Sequence, residues 1–408
     1  MPSMETPDAK NFYIDDLLIG HSSANPCLPS ERGLYLHIPF CVSKCSYCDF
    51  YSTVSPMPVE SANRYLSLAL EEFRLLLAAE PQLRERRVKT VYFGGGTPSL
   101  AIAASFDLFL SGLRDEMDFA DNPEITLETQ PATCNSNKLS RLRAVGINRF
   151  SVGAQSFDPR HLAFVGRRHT VEQTRSLLRD INGLGDARLS IDLISGWPGQ
   201  TVGEWGESLD EALSFRPEHP SVYELTFYEE ARLKDRANPL PENTLIDIYR
   251  FTQRHLSAMG YENYEISNYA QPGCRSIHNE NYWLLGDYVG LGAGAHSFLA
   301  PHRWANPDDV ASWEYAIERG LLVRRLNDSQ DPHVGLLENL QMALRLSDGV
   351  DLNQFSKRFG LDIRQIRQMQ WNDLLNMGVI ELVGEEGSVV RLTDDGRVRL
   401  DSIIEYLI

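Results

Sequence analysis

No apolar run in this chain approaches the roughly 20 residues needed to cross a bilayer, so no membrane insertion is expected. The stretch from Met1 to Lys10 lacks the basic start, apolar centre and small-residue cleavage site of a secretory signal, and a cytoplasmic location is the expectation. Positive charge is scarce: 39 Lys and Arg stand against 56 Asp and Glu, for a net charge of −17. That balance favours solubility and argues against general nucleic-acid binding. Cysteine is scarce too, with six in 408 residues. Three of the six crowd into one short loop, which points to metal rather than an oxidised framework. Cys27, Cys134 and Cys274 stand alone and read as small buried side chains.

The rest is ordinary globular composition, 42% apolar and 23% charged, long enough for a large core and a smaller second domain. Residues 1–32 carry four prolines and little apolar periodicity, and read as an extension. Over 33–232, short β-rich runs (Leu34–Ile38, Val88–Phe93, Glu124–Leu127, Asn148–Val152, Arg188–Leu193, Ser221–Thr226) alternate with helical stretches (Val59–Ala79, Ser136–Ala144, Val171–Gly183, Thr201–Leu213). This alternation predicts an α/β fold with a parallel sheet curved into part of a barrel. Ligands in such folds bind at the carboxyl ends of the strands. Residues 233–330 are expected to extend the sheet. Residues 331–408 read as short helices followed by a hairpin around Gly384–Gly387, a winged-helix-like domain. Its acidic excess, with Glu385 and Glu386 in the wing turn, sets structural use ahead of DNA binding.

The crowded thiols are Cys41, Cys45 and Cys48. Structural zinc closes with four ligands, whereas three leave a coordination position open. Soft thiolates at tight spacing also suit an iron–sulfur cluster, and three of them leave one iron of a cubane unclaimed by protein. Further polar or glycine-rich segments follow the strands: Gly94 to Pro98, Glu128, Gln155, Arg167 and Asp192. Taken singly, the glycine run reads as a tight strand-to-helix turn, Glu128 as a solvated acid and Arg167 as a surface cation; Gln155 can offer both a donor and an acceptor to a ligand, and for Asp192 ligand contact and structural pairing both stand.

The cysteine spacing with its flank from Tyr35 through His37 to Phe40 resembles the radical S-adenosylmethionine (SAM) superfamily. Within it, the string resembles the branch that holds the oxygen-independent coproporphyrinogen III oxidases and the HemW haem chaperones. The resemblance, covering about residues 34–408, implies a partial (β/α)₆ barrel with a [4Fe–4S] cluster on Cys41, Cys45 and Cys48. SAM would chelate the open iron and be reductively cleaved in the enzymes of the branch. It implies Tyr35, Tyr47, Gly95, Gly96, Thr97, Glu128, Gln155, Arg167 and Asp192 as residues holding one or two SAM molecules. An electron donor for the cluster is implied as a partner.

Two markers separate the branches. Asp49 and Phe50 follow the third cysteine where the porphyrinogen oxidases carry a further cysteine two positions on. The segment from His278 to Trp283 resembles the HNxxYW string of HemW-like chains, with His278 as a haem-binding candidate and His296 as another. These imply haem, or another tetrapyrrole, as ligand and haem proteins as acceptors. The alternatives are oxidative decarboxylation of coproporphyrinogen III or radical methyl transfer, and a winged-helix DNA-binding sensor. Departures from the family pattern stand at Thr129, Gln130 and Trp197. The last is expected to reshape the substrate pocket.

Overall fold

Alternation along β1 (Glu31–Ile38) divides its side chains between two environments. Leu34, Leu36 and Ile38 join the main hydrophobic core, whereas Gly33, Tyr35 and His37 face the rings and glycines of the barrel interior. The computed structural model describes residues 31–227, 233, 238–300, 302–326 and 332–407. The extension expected over 1–32 lies outside them except for Glu31 and Arg32, which already belong to β1.

β2 (Phe40–Cys41) and β3 (Thr53–Val54) form a short parallel pair at the neck of the cysteine loop. The chain continues through α1 (Pro58–Ala79), β4 (Arg87–Gly95), α2 (Ala103–Glu116), β5 (Phe119–Thr129), α3 (Ser136–Ala144), β6 (Arg149–Gln155), α4 (Pro159–Phe164), α5 (Val171–Asn182), β7 (Arg188–Ser195), α6 (Val202–Ser214) and β8 (His219–Glu224). Strands β1, β4, β5, β6, β7 and β8 lie parallel in that order. This is the six-stranded partial barrel that the alternating pattern predicts. The last strand begins two residues earlier than its apolar run implies, at His219, with Pro220 inside it. An edge strand tolerates a proline that an internal strand could not.

Helix α7 (Glu242–Ala258) leads to the ribbon of β9 (Glu262–Asn263) and β10 (Tyr269–Ala270), then to α8 (Ile277–Trp283). β11 (Tyr288–Leu291) pairs parallel with the free edge of β1. β12 (His296–Leu299), β13 (His302–Ala305) and β14 (Arg325–Leu326) extend the sheet antiparallel from it, with α9 (Val310–Ile317) between the last two.

The C-terminal part has its own hydrophobic core. It is built from α10 (Pro332–Leu344), β15 (Val350–Asp351), α11 (Leu352–Phe359), α12 (Ile363–Ile366), α13 (Gln368–Asn376), β16 (Ile380–Val383), β17 (Val389–Leu392), α14 (Asp394–Arg397) and α15 (Leu400–Leu407). The hairpin of β16 and β17, with β15 on its flank, completes a winged-helix-like unit.

Helix α8 closes the barrel floor. Arg149 is 1% exposed and donates to Glu124 at 2.9 Å, to Ser190 at 3.1 Å, and to the carbonyls of Cys274 and Arg275. Glu124 in turn accepts from the backbone N–H groups of Ile277 and His278 at the helix start. A buried charge pair with every oxygen occupied locks the helix under the strands.

Candidate cluster and cofactor site at the barrel mouth

The cysteine loop leaves the carboxyl end of β1 and is tied back at several points. The Thr53 N–H donates to the Pro39 carbonyl at 2.8 Å, and the Ser55 N–H to that of Cys41 at 3.3 Å. His37 braces the far limb: its Nε2 donates to the Tyr51 carbonyl at 2.8 Å, leaving Nδ1 to accept from the Tyr35 hydroxyl at 2.9 Å. These partners assign the tautomer. The Thr97 hydroxyl donates to the Cys41 sulfur at 3.6 Å. The Ser46 N–H reaches the Val165 carbonyl at 3.0 Å, so the loop also rests on the segment after α4.

Burial raises the thiols of Cys41 and Cys48 above their ordinary range, and the neighbouring thiols push the same way. Among the described residues no three His, Cys, Asp or Glu side chains gather closely enough for a single metal ion. A cubane makes a different demand, because each thiolate binds its own iron. Three sulfur donors within Cys41–Cys48, a stretch that itself holds no carboxylate, fit that demand.

The glycines after β4 earn their place by close approach. A Cβ on Gly95, whose φ is +114°, would lie 2.8 Å from the His37 ring; one on Gly96 would lie 2.7 Å from the Pro39 carbonyl oxygen. The Gly96 N–H donates to the Ile38 carbonyl at 2.8 Å. The turn is thus pressed against the root of the cysteine loop.

Deeper in the barrel, Glu128 accepts from the Gly95 N–H at 3.1 Å and the Tyr92 hydroxyl at 3.0 Å. Burial, reinforced by Asp192, pushes its carboxyl up to about 7. Asp192 accepts from the Ser151 hydroxyl at 3.1 Å to each oxygen. Burial raises it to about 6 against the opposing pull of Ser221, Ser151 and Arg167. Two carboxyl groups within electrostatic reach share an interior lined by Tyr35, Tyr92 and Tyr223. Such a pair readily gives up a proton when a cation enters.

Gln155 ends β6 with φ +66°, rare for a residue with a side chain, at a slip in register between β6 and β7. The left-handed backbone costs about 1–2 kcal/mol and turns the amide back over Gly153, where Arg167 also lies. Arg167 donates to the Tyr47 hydroxyl at 2.7 Å. Burial opposes its charge, but Tyr47 and the thiols of Cys45 and Cys48 outweigh that and hold it above its ordinary value.

With this arrangement in view, similarity to known proteins is informative. Residues 35–212 match the family model described as the radical SAM superfamily, and residues 330–399 match the HemN C-terminal domain. The haem chaperone HemW of Escherichia coli K12 is 37% identical over 64% of this chain and 69% of its own. The HemW of Synechocystis is 34% identical over 78% of each chain. The mitochondrial radical S-adenosyl methionine domain-containing protein 1 of Danio rerio is 31% identical over 95% of this chain and 90% of its own. The chain belongs to the HemW-like branch of the radical SAM superfamily. Its fold is that of the coproporphyrinogen III oxidase HemN of Escherichia coli, with a TM-score of 0.77 at 22% identity over 93% of this chain and 91% of that one. Among the described residues of this HemW-like chain no helix is long and apolar enough to cross a membrane.

The structure places His278 at the barrel floor. Its ring is 1% exposed in the barrel floor, stacked 4.9 Å from Tyr92. Nδ1 shares a hydrogen bond with Thr90 Oγ1 and Nε2 with the Tyr282 hydroxyl, both at 2.7 Å. Burial drops the imidazole to about 3. A neutral imidazole has one donor and one acceptor, and in this arrangement Thr90 and Tyr282 take both. The HNxxYW segment of this HemW-like chain packs into the barrel floor.

Trp197, expected in a substrate pocket, is also buried. It donates from Nε1 to the Ile194 carbonyl at 2.7 Å, stacks on His161 at 4.6 Å, and belongs to a small apolar cluster against which Tyr47 packs. It supports the cysteine loop from behind. The brace at His37 has no separate signal in the sequence, although the residue lies in the flank of the cysteine loop. Its partner Tyr51 carried no signal, because a backbone carbonyl has no residue preference.

Proposed function

We propose that this protein holds a [4Fe–4S] cluster on Cys41, Cys45 and Cys48 and SAM at the barrel mouth, and that it binds haem for delivery to acceptor proteins. The observation that carries the cofactor reading is the cysteine loop itself: three thiols on a tether anchored by Pro39, Tyr51 and Val165, facing a turn that admits only glycine. The haem reading is supported by similarity to the HemW chaperones.

In this reading the cluster supplies one electron and an open iron to SAM. The chain does the rest. Arg167, fixed by Tyr47, is placed for a carboxylate. Gln155 offers a donor and an acceptor, and Tyr35 shapes the wall. Glu128 and Asp192 furnish negative charge for a cationic ligand while Tyr92, Gly95 and Ser151 fix their oxygens. Thr97 holds the Cys41 sulfur in line.

The reading is tested on anaerobically reconstituted protein given hemin in one arm and coproporphyrinogen III with SAM in the other. Stoichiometric hemin binding without porphyrinogen turnover supports the chaperone. Turnover coupled to 5′-deoxyadenosine or S-adenosylhomocysteine replaces it with an enzyme of the same branch.

A further inference from the structure

The segment 290–295 that joins β11 to β12, Gly-Leu-Gly-Ala-Gly-Ala, presses on both ends of the His37–Tyr51 brace. A Cβ on Gly292, whose φ is +89°, would lie 2.5 Å from the His37 carbonyl oxygen, and one on Gly294 would lie 2.9 Å from the Tyr51 ring. The Tyr51 hydroxyl in turn accepts from the Val310 N–H at 2.9 Å. The N–H groups of the segment are taken up within the protein: Gly290 donates to Ser297 Oγ at 2.9 Å, Gly292 to Glu72 at 2.7 Å, Ala293 to the Tyr65 hydroxyl, and Gly294 to the Pro307 carbonyl at 2.8 Å. It is therefore a wedge between α1 and the cysteine loop, not a cradle for a ligand.

Glu72 holds the wedge from α1. It is 4% exposed, and each of its oxygens accepts from a neutral donor, one from the Gly292 N–H and the other from the Asn306 side chain at 2.5 Å. Asn306 closes the ring by donating to the Gly292 carbonyl at 2.9 Å and, from its backbone, to that of Ala295 at 2.8 Å. Tyr65, two turns back on α1, sets its ring edge-on to Phe40, next to Cys41, at 5.3 Å. The charged and titratable groups facing the carboxyl are Arg324 ahead of β14, itself drawn by Glu80, and Tyr65, on which Tyr51 and Glu314 also act. Burial outweighs the donors and Arg324, and raises Glu72 to about 7. Only the ionised carboxyl is an acceptor at both oxygens. A proton on either one turns a donor toward a donor.

We propose that Glu72 is a positioning residue for the cluster and SAM: ionised, it seats the glycine wedge that backs the cysteine loop; protonated, it lets go of Gly292 or Asn306 and the loop loses that backing. Proton uptake at Glu72 and SAM binding at the mouth are then linked, and each opposes the other. No bond other than the O–H of the carboxyl is made or broken. The proposal rests on the cofactor reading above and adds to it a residue outside the mouth through which acid weakens the site.

The test is equilibrium dialysis of SAM on anaerobically reconstituted full-length protein from pH 6 to pH 8, with iron content and circular dichroism read on each sample. Glu72→Gln carries a fixed amide donor where the acid carries a proton. It should weaken SAM about fivefold at pH 8 and match the parent within about twofold at pH 6. Glu128 and Asp192 titrate in parent and variant alike, so the difference between the two reports Glu72. Asn306→Ala removes one donor from the carboxylate and favours its proton. It should move the midpoint of the parent's decline in SAM affinity to higher pH, and it carries the test if Glu72→Gln fails to fold. Equal affinity of Glu72→Gln and parent at pH 8, a deficit of the same size at both ends of the range, or an unmoved midpoint in Asn306→Ala overturns the proposal and leaves the cofactor reading standing. If the parent itself takes up no cluster or binds no SAM at any pH, the cofactor reading falls and Glu72 has nothing to position.

Discussion

Arg167 donates to the hydroxyl of Tyr47 at 2.7 Å, joining the loop after α4 to the heart of the cysteine loop across 120 residues of sequence. Removing the phenol oxygen strands a guanidinium beside two thiols. Tyr47→Phe should weaken SAM about five- to tenfold without altering cluster iron content. Equilibrium dialysis with SAM on reconstituted protein measures it, and unchanged affinity would separate the brace from the cofactor.

Alanine at Cys41, Cys45 or Cys48 should abolish the visible absorbance of the reconstituted cluster. Alanine at Cys134 or Cys274 should leave iron and sulfide content unchanged, because Cys134 lies beside Thr133 and Ser99 and Cys274 lies at the floor beside Arg149. A loss at either outlying position would contradict the ligand set.

Gly96→Ala places a methyl 2.7 Å from the Pro39 carbonyl oxygen and 2.8 Å from that of Phe40. Backbone cannot step aside cheaply, so a cost of about 1–3 kcal/mol is expected. Chemical denaturation reads it directly. Gly166→Ala, where no atom obstructs the new carbon, tests the effect of positive φ alone.

Arg149→Met leaves the Glu124 carboxylate buried without its cation, and a loss of about 3–5 kcal/mol is expected. Adding Glu124→Gln should recover part of it, since the unpaired charge goes. If the double variant is as unstable as the single, the hydrogen bonds to Ser190 and the Cys274 and Arg275 carbonyls matter more than the ion pair.

Glu128 and Asp192 titrate near 7 and near 6, above ordinary carboxyl values. A group that holds its proton more tightly folded than unfolded stabilises the fold at low pH, and loses that contribution as pH rises through the folded value. Their part of the stability should fall between about pH 4 and pH 7. Thermal melts of Glu128→Gln across that range should decline less steeply than those of the parent. Equal slopes would show the proton is released elsewhere.

The strands were legible because each carries a run of β-formers ending at a polar or glycine-rich turn, and because helical periodicity filled the gaps. Ser136–Ala144 was read to the residue, since Asn135 caps it and the apolar spacing is unbroken. The three thiols stand out because they are close in sequence. What stayed hidden was contact between distant segments. The string from His278 to Trp283 does not show in sequence where in the barrel it lies; its contacts with Thr90 and Glu124, and those of Arg149 just before it, place it at the floor, and only the fold brings these residues together. Trp197 likewise looked like a pocket residue until Ile194 and His161 closed over it.

The plugged floor makes the barrel a vessel with its base sealed. Charge pairs and a helix occupy one end, so the glycine turn and the buried carboxyls are reached from the mouth. Traffic at a shared doorway is ordered by exclusion: whatever occupies it decides what enters next.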